Sequence, residues 1–186
     1  MRVSASALLL AAAALAAPPP APMATPETHS CTQKSSHARE WHVKDFEFYA
    51  SYIFTTPAHQ NSWGHVNFTL ENPALNFVSQ CEGSSNQLTD FFYGNFAYNC
   101  AQKLPSADTS FTFSRPTGEL VINQSWACVS EGSRFWAGGS ANLTLNCKDE
   151  TWQNPEWKMG QTYSSRTITC DHLHTDVQVS SMAGIA

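Results

Sequence analysis

The sequence predicts an all-β, antiparallel protein stapled by disulfides, a barrel or a sandwich. Three observations lead there. Runs of alternating apolar and polar residues recur along the chain, each with the period of two that marks a half-buried strand. Clusters of Gly, Pro and Asn separate them at the short spacing of barrels and sandwiches. Six cysteines follow what reads as a secretory signal, and secretion is the setting in which disulfides form.

The elements follow in order. Met1-Arg2 is a short positive region, Val3 to Leu15 is an apolar run too short to span a bilayer, and Ala14-Leu15-Ala16 supplies small cleavage-site residues. Residues 1–16 are therefore expected to be a signal peptide, and the protein to be secreted and extracellular. The Pro/Ala-rich stretch 17–30 is expected to be a flexible tail. Residues 31–186 make one domain, long enough to bury a core.

Trp41 and Val43 open the first strand. Phe46, Phe48, Ala50, Tyr52 and Phe54 continue it on a shifted phase, so a bulge is expected near Lys44-Asp45. Val66, Phe68 and Leu70 form a second run; Leu75, Phe77, Ser79 and Cys81 form the next. Phe111 and Phe113 mark a short strand, and Leu120, Ile122 and Trp126 share a face of another. Ala141 to Cys147 alternates, with Leu143, Leu145 and Cys147 on the apolar phase. Thr167 to Cys170 and Leu173 to Val179 complete the set. Turns are expected at Asn72-Pro73, Pro116-Thr117-Gly118, Ala137-Gly138-Gly139 and Asn154-Pro155. No long amphipathic helix is evident, and Asp90 to Asn99 is ambiguous.

Composition narrows the partners. Ten Lys and Arg stand against fifteen Asp and Glu, a net charge of −5, and no basic run is present. Nucleic acid is not an expected partner. No segment after the signal is apolar enough to cross a membrane as a helix. Three N-glycosylation acceptors, Asn67-Phe68-Thr69, Asn123-Gln124-Ser125 and Asn142-Leu143-Thr144, each place the Asn opposite the apolar phase, where a glycan would face water. An even number of cysteines in an oxidising setting implies three disulfides among Cys31, Cys81, Cys100, Cys128, Cys147 and Cys170. Fifteen pairings are open, and no Cys-x-x-Cys suggests zinc.

Catalytic candidates are thin. His172-Leu173-His174 puts two imidazoles on one strand face, with Asp176 as a third ligand on the same phase. A solvated polar face explains them better, so no metal is expected. No Gly-x-Ser-x-Gly elbow exists. Asp45 with Glu47, or Asp149 with Glu150, are nominal glycosidase pairs without a signature. His42, His65 and Arg115 are nominal ribonuclease groups. Trp41 and Trp126 read as core, whereas Trp63, Trp136, Trp152 and Trp157 lie near expected turns and are candidates for exposure, with Trp152 and Trp157 as a sugar-stacking platform.

Taken in order, Trp41-His-Val43-Lys-Asp45-Phe46, Val66-Asn67-Phe68, Leu75-Asn-Phe77 to Cys81, Tyr98-Asn-Cys100, Phe111-Thr-Phe113, Leu120 to Trp126, Ala141 to Cys147 and Cys170 resemble the major Alternaria allergen family of secreted fungal proteins. The resemblance runs from about Trp41 to Val179. It implies one β-barrel without catalytic residues or cofactor, acting as an allergen, elicitor or effector that engages a host-plant extracellular protein. It also implies a small phenolic, flavonoid-type ligand as a further candidate partner. A secreted hydrolase and a carbohydrate-binding module are the alternatives. By resemblance, Cys81 pairs with Cys100 and Cys147 with Cys170. In the type allergen the N-terminal cysteine, here Cys31, bridges two chains. Cys128 is an addition that offers Cys31 a partner within the chain, so Cys31–Cys128 and a monomer are expected, with a Cys31-linked dimer as the rival. The stretches Thr55–Trp63 and Lys148–Arg166 look longer than in the type member.

Overall fold

The computed structural model describes residues 30–101 and 106–185. The expected signal peptide, and all of the expected tail but Ser30, lie outside them. A helix α1 (Cys31–Ser36) precedes β1 (Glu40–Thr56), β2 (His59–Glu71), β3 (Val78–Ser85), β4 (Tyr98–Asn99), β5 (Ala107–Ser114), β6 (Glu119–Cys128), β7 (Ser133–Asn142), β8 (Cys147–Gln153), β9 (Ser164–Cys170) and β10 (Leu173–Ile185). The sheet runs β3-β2-β1-β10-β7-β6-β5-β4, with β9 beside β1 and β8 beside β9. Every strand pairing is antiparallel, and the sheet curls into a nearly closed barrel. At the seam, Ala101 N–H donates to Gln80 O at 2.6 Å and the Cys81–Cys100 disulfide joins β3 to the residue after β4.

The long β1 organises the rest because it serves two partners on one edge. Glu40 to Phe46 pair with β10, and Tyr49 to Phe54 pair with β9. The predicted bulge lies between: the register shifts between Val43 and Phe46, and Asp45 takes a φ of 53°. The extra residue restores the apolar phase, so Trp41, Val43, Phe46, Phe48 and Ala50 all face inward. Rings fill the barrel, with Phe46 against Phe113 at 5.2 Å and Phe68 against Phe111 at 4.9 Å. One polar network is buried among them. Trp41 Nε1 and Asn72 Nδ2 donate to Gln124 Oε1 at 3.0 and 2.7 Å, and Gln124 Nε2 donates to Thr109 Oγ1 at 3.0 Å. Each group has a partner, so burial leaves no orphan.

The three disulfides are Cys31–Cys128, Cys81–Cys100 and Cys147–Cys170, and no described cysteine is free. Cys31–Cys128 fastens α1 to the end of β6. Ser30 Oγ accepts from Gln33 N–H at 3.2 Å, and the Glu131 carboxylate accepts from the Cys31 and Thr32 N–H groups at 2.9 Å each. Hydrogen bonds from Thr32 hold the Glu131 carboxyl below its usual range. Buried Ser35 accepts from Trp126 Nε1 at 2.8 Å, which satisfies an otherwise unpaired core indole.

Several elements differ from the sequence reading. Ala137-Gly138-Gly139 is the middle of β7, not a turn. The glycines are there for space: a Cβ on Gly139 would run into the Gln178 carbonyl and lie 3.1 Å from the Trp41 ring. Ala141 to Cys147 is not one strand, because β7 ends at Asn142. Leu143 is still buried, but its N–H donates to Gly118 O at 2.8 Å and not to a strand ladder. Cys147 opens β8 and is exposed. Leu75 and Phe77 precede β3. Thr55 to Trp63 holds a tight hairpin turn between β1 and β2, and Lys148 to Arg166 forms most of the β8–β9 hairpin.

Candidate functional site

The sequence-nominated catalytic groups are brought to different partners. His174 Nε2 lies 3.5 Å and His172 Nδ1 3.9 Å from Asp45 Oδ1, all three side chains being well exposed. Asp176 shares the exposed phase of His174, as expected, but has a different partner. The β1–β10 register sets it opposite His42, whose Nδ1 is 2.6 Å from its carboxylate. Glu40, His42 and Asp176 have ligand atoms within 4.8 Å of one another, and Glu40 also accepts from Gln178 Nε2 at 2.9 Å. Glu47 accepts from Asn67 Nδ2 at 3.0 Å. Asp149 receives Arg166 Nε at 2.9 Å, and this bond, with the guanidinium charge, holds its carboxyl below the ordinary range. Glu150 pairs with Lys148 on the same strand. His65 stands beside Ser84 at 3.4 Å, and Arg115 caps the Phe48 ring at 4.6 Å. His42 and His65 pair with β2 and β1 residues some seven positions apart, about 20 Å along the sheet.

The aromatic side chains converge better. Residues 86–97 link β3 to β4 with little regular structure, yet Phe91 and Phe92 within them are fully buried. Two strand glycines make room for the plug and for the Tyr98 ring beside it. A Cβ on Gly64 would lie 2.7 Å from Phe91 Cβ and Cγ, and one on Gly83 would lie 3.0 Å from the Tyr98 ring. Thr89 and Phe91 take φ of 81° and 64°, a region that bulky residues rarely occupy. The Tyr52 hydroxyl donates to Thr89 O and the Ser85 hydroxyl to Phe91 O, which fixes both peptides.

Above the plug lies a groove of about 500 Å³, lined by Trp63, Ser84, Gln87, Phe96 and Tyr98 among others. That is within the range of small-molecule sites, roughly 300–1,000 Å³. Trp63 is 45% and Phe96 54% exposed. Trp63 is steadied by the Tyr49 ring at 5.2 Å. Burial pushes the Tyr98 phenol up from its ordinary value. Gln87 Oε1 is buried without a hydrogen-bond partner, the one such side-chain atom among the described residues. An orphan acceptor of this kind costs about 1–3 kcal/mol until a donor reaches it. The walls are thus aromatic, and Gln87, one of the lining residues, keeps a buried acceptor without a partner.

The sequence profile of the Alternaria alternata allergen 1 family matches residues 43–170. The chain belongs to that family. No curated protein and no solved structure matches the chain significantly. The Alternaria alternata allergen 1 match spans the plug, the groove and the Cys81–Cys100 and Cys147–Cys170 bonds, whereas Cys31 and α1 precede it.

Of the groove residues, the sequence singles out Trp63, as an exposed residue near a turn, and Tyr98, within the family resemblance; the exposure of Trp63 holds. Trp63 sits well inside β2, and Trp136 is likewise inside β7. Trp152 is exposed, but Trp157 packs edge-on against Tyr163 at 5.7 Å and donates its indole N–H to Gln161 O at 2.8 Å, so the two form no common platform. Asn123 and Asn142 are exposed; Asn67 is half-buried.

Proposed function

We propose that this protein is a secreted, non-catalytic binding protein whose aromatic groove takes a flat, hydroxylated aromatic ring. The observation that carries the reading is the pairing of exposed Trp63 and Phe96 walls with the unpartnered Gln87 Oε1. A phenol stacks on the former and, once the Gln87 side chain turns toward the groove, donates to the latter, which is the chemistry of the flavonoid-type ligand that the family resemblance implies. The non-catalytic part is supported by the occupation of the nominated acids and bases: Asp149 by Arg166, His42 by Asp176, Glu47 by Asn67. Engagement of a host extracellular protein, an effector or elicitor role, and glycans on Asn67, Asn123 and Asn142 belong to the same proposal. The intrachain Cys31–Cys128 bond supports a monomer without an interchain link.

Titration of the protein with a trihydroxyflavone, followed by quenching of intrinsic fluorescence, tests the groove. Saturable binding is expected, weakened about tenfold or more by Phe96→Ala and by Trp63→Ala while thermal melting is retained. Binding indifferent to both substitutions would overturn the proposal.

A further inference from the structure

A second groove, of about 460 Å³, lies on the outer face of the sheet across β5, β6, β7 and β10. Asp108, Ser110, Asn123, Trp136, Gly138 and Ser181 help line it. Its composition is unlike that of the first: one 41%-exposed indole ringed by hydroxyls, an amide and a carboxylate. One wall is the acceptor sequence Asn123-Gln124-Ser125 itself.

The strand geometry fixes this arrangement. Gln124 is held in the core by Trp41, Asn72 and Thr109, so its neighbours Asn123 and Ser125 must point outward. The β6–β7 register sets Asn123 opposite Gly138 and Ser125 opposite Trp136. Asn123 and Trp136 are therefore diagonal neighbours on one face, a spacing that an aromatic side chain spans. Gly138 keeps the floor between them clear: a Cβ there would lie 2.9 Å from Ser181 Oγ and 3.1 Å from Asn123 Oδ1. The other acceptors differ. Asn67 is half-buried with Nδ2 committed to Glu47 at 3.0 Å, and Asn142 is the last residue of β7, opposite Glu119.

We propose that this groove seats the glycan carried by Asn123. The first N-acetylglucosamine lays its apolar C–H face on the Trp136 indole, and its hydroxyl and acetamide groups meet Asp108, Ser110 and Ser181. The inference rests on the use of Asn123 as an acceptor, proposed above. In that step Asn123 Nδ2 bonds to C1 of the first sugar of a lipid-linked oligosaccharide, the lipid diphosphate leaves, and the amide gives up one proton. The seat then turns a surface modification into part of the folded structure, covering a tryptophan that would otherwise face water.

The test uses the full chain secreted from a eukaryotic host, with Asn67→Gln and Asn142→Gln so that Asn123 is the remaining acceptor. Peptide mass mapping reads occupancy. The glycan is then trimmed enzymatically to its first sugar, and the product is compared with the same protein carrying Asn123→Gln. The single sugar is expected to raise the melting temperature by about 2–4 °C, the scale of one such contact in a domain of this size. The gain should vanish in Trp136→Ala. Nuclear Overhauser effects should link the sugar protons to the Trp136 indole in the unsubstituted protein, a readout that stands even if the variant folds poorly. An occupied Asn123 with no such cross-peaks, or with the same gain in Trp136→Ala, overturns the seat but leaves glycosylation standing. An unmodified Asn123 overturns both.

Discussion

Residues 86–97 and the β8–β9 hairpin are opposite solutions to the same problem of ordering a connection. The first has almost no regular hydrogen bonding, yet buries Phe91 and Phe92 completely. The second is regular over seven paired positions, from Cys147 with Cys170 to Gln153 with Ser164, yet every residue of β8 is exposed. Burial holds the plug, and its two non-glycine residues of positive φ, Thr89 and Phe91, are each held by a hydroxyl that donates to their carbonyl. Ladder bonds, a disulfide and an ion pair hold the hairpin. The difference teaches that in this barrel regular structure and stability are separate properties, and that the site grows from the irregular segment.

Cavity formation should break the comparison most forcefully. Phe92 touches Phe48, Tyr98 and Phe113 at ring distances near 6 Å. Phe92→Ala is expected to cost about 3–5 kcal/mol. Trp152→Ala, in the hairpin, should stay within about 0.5 kcal/mol. Urea unfolding of the two variants measures both, and comparable losses would mean that the hairpin carries stability after all.

Gly64→Ala should have the next largest effect. The added methyl has no room beside Phe91, so about 1–3 kcal/mol of overpacking is expected, along with displacement of the plug. A melting temperature equal to that of the parent would show that the ring is not pinned to β2.

How much of this was legible follows from where the signals lie. The inward residues of β1, its bulge and the apolar face of β6 announce themselves because half-buried strands impose a period of two. Strand β8 is silent for the same reason: Lys148-Asp149-Glu150-Thr151 buries no face, so nothing alternates. Strand β7 is misread because Gly138 and Gly139 look like a turn when their role is to let Ser181, Gln178 and Trp41 approach. Helix α1 could have been found, since Ser30 followed by Gln33 is the spacing of a capping box before a short helix. The groove could not. Trp63, Gln87 and Phe96 come from separate stretches, and only the plug brings them together.

The smallest expected effect concerns the hairpin's ion pair. The Arg166 hydrogen bond and charge hold the Asp149 carboxyl low in the folded state. Stability from this pair is therefore present above the unfolded carboxyl's ordinary value, about 4, and is lost as pH falls through the lower folded value. Both side chains are over 40% exposed, so solvent screening limits the contribution to less than about 1 kcal/mol. Asp149→Asn should lower the urea midpoint slightly at pH 7 and by less at pH 3. A deficit undiminished at pH 3 would point to a packing role instead.

The groove as the binding site is tested most directly by amide and indole shift mapping during addition of a trihydroxyflavone. The expected result is a contiguous set of shifts at the Trp63 indole, Ser84 to Gln87 and Phe96 to Tyr98, with the β8–β9 hairpin unmoved. Shifts concentrated on the hairpin, or none at saturating ligand, would contradict it.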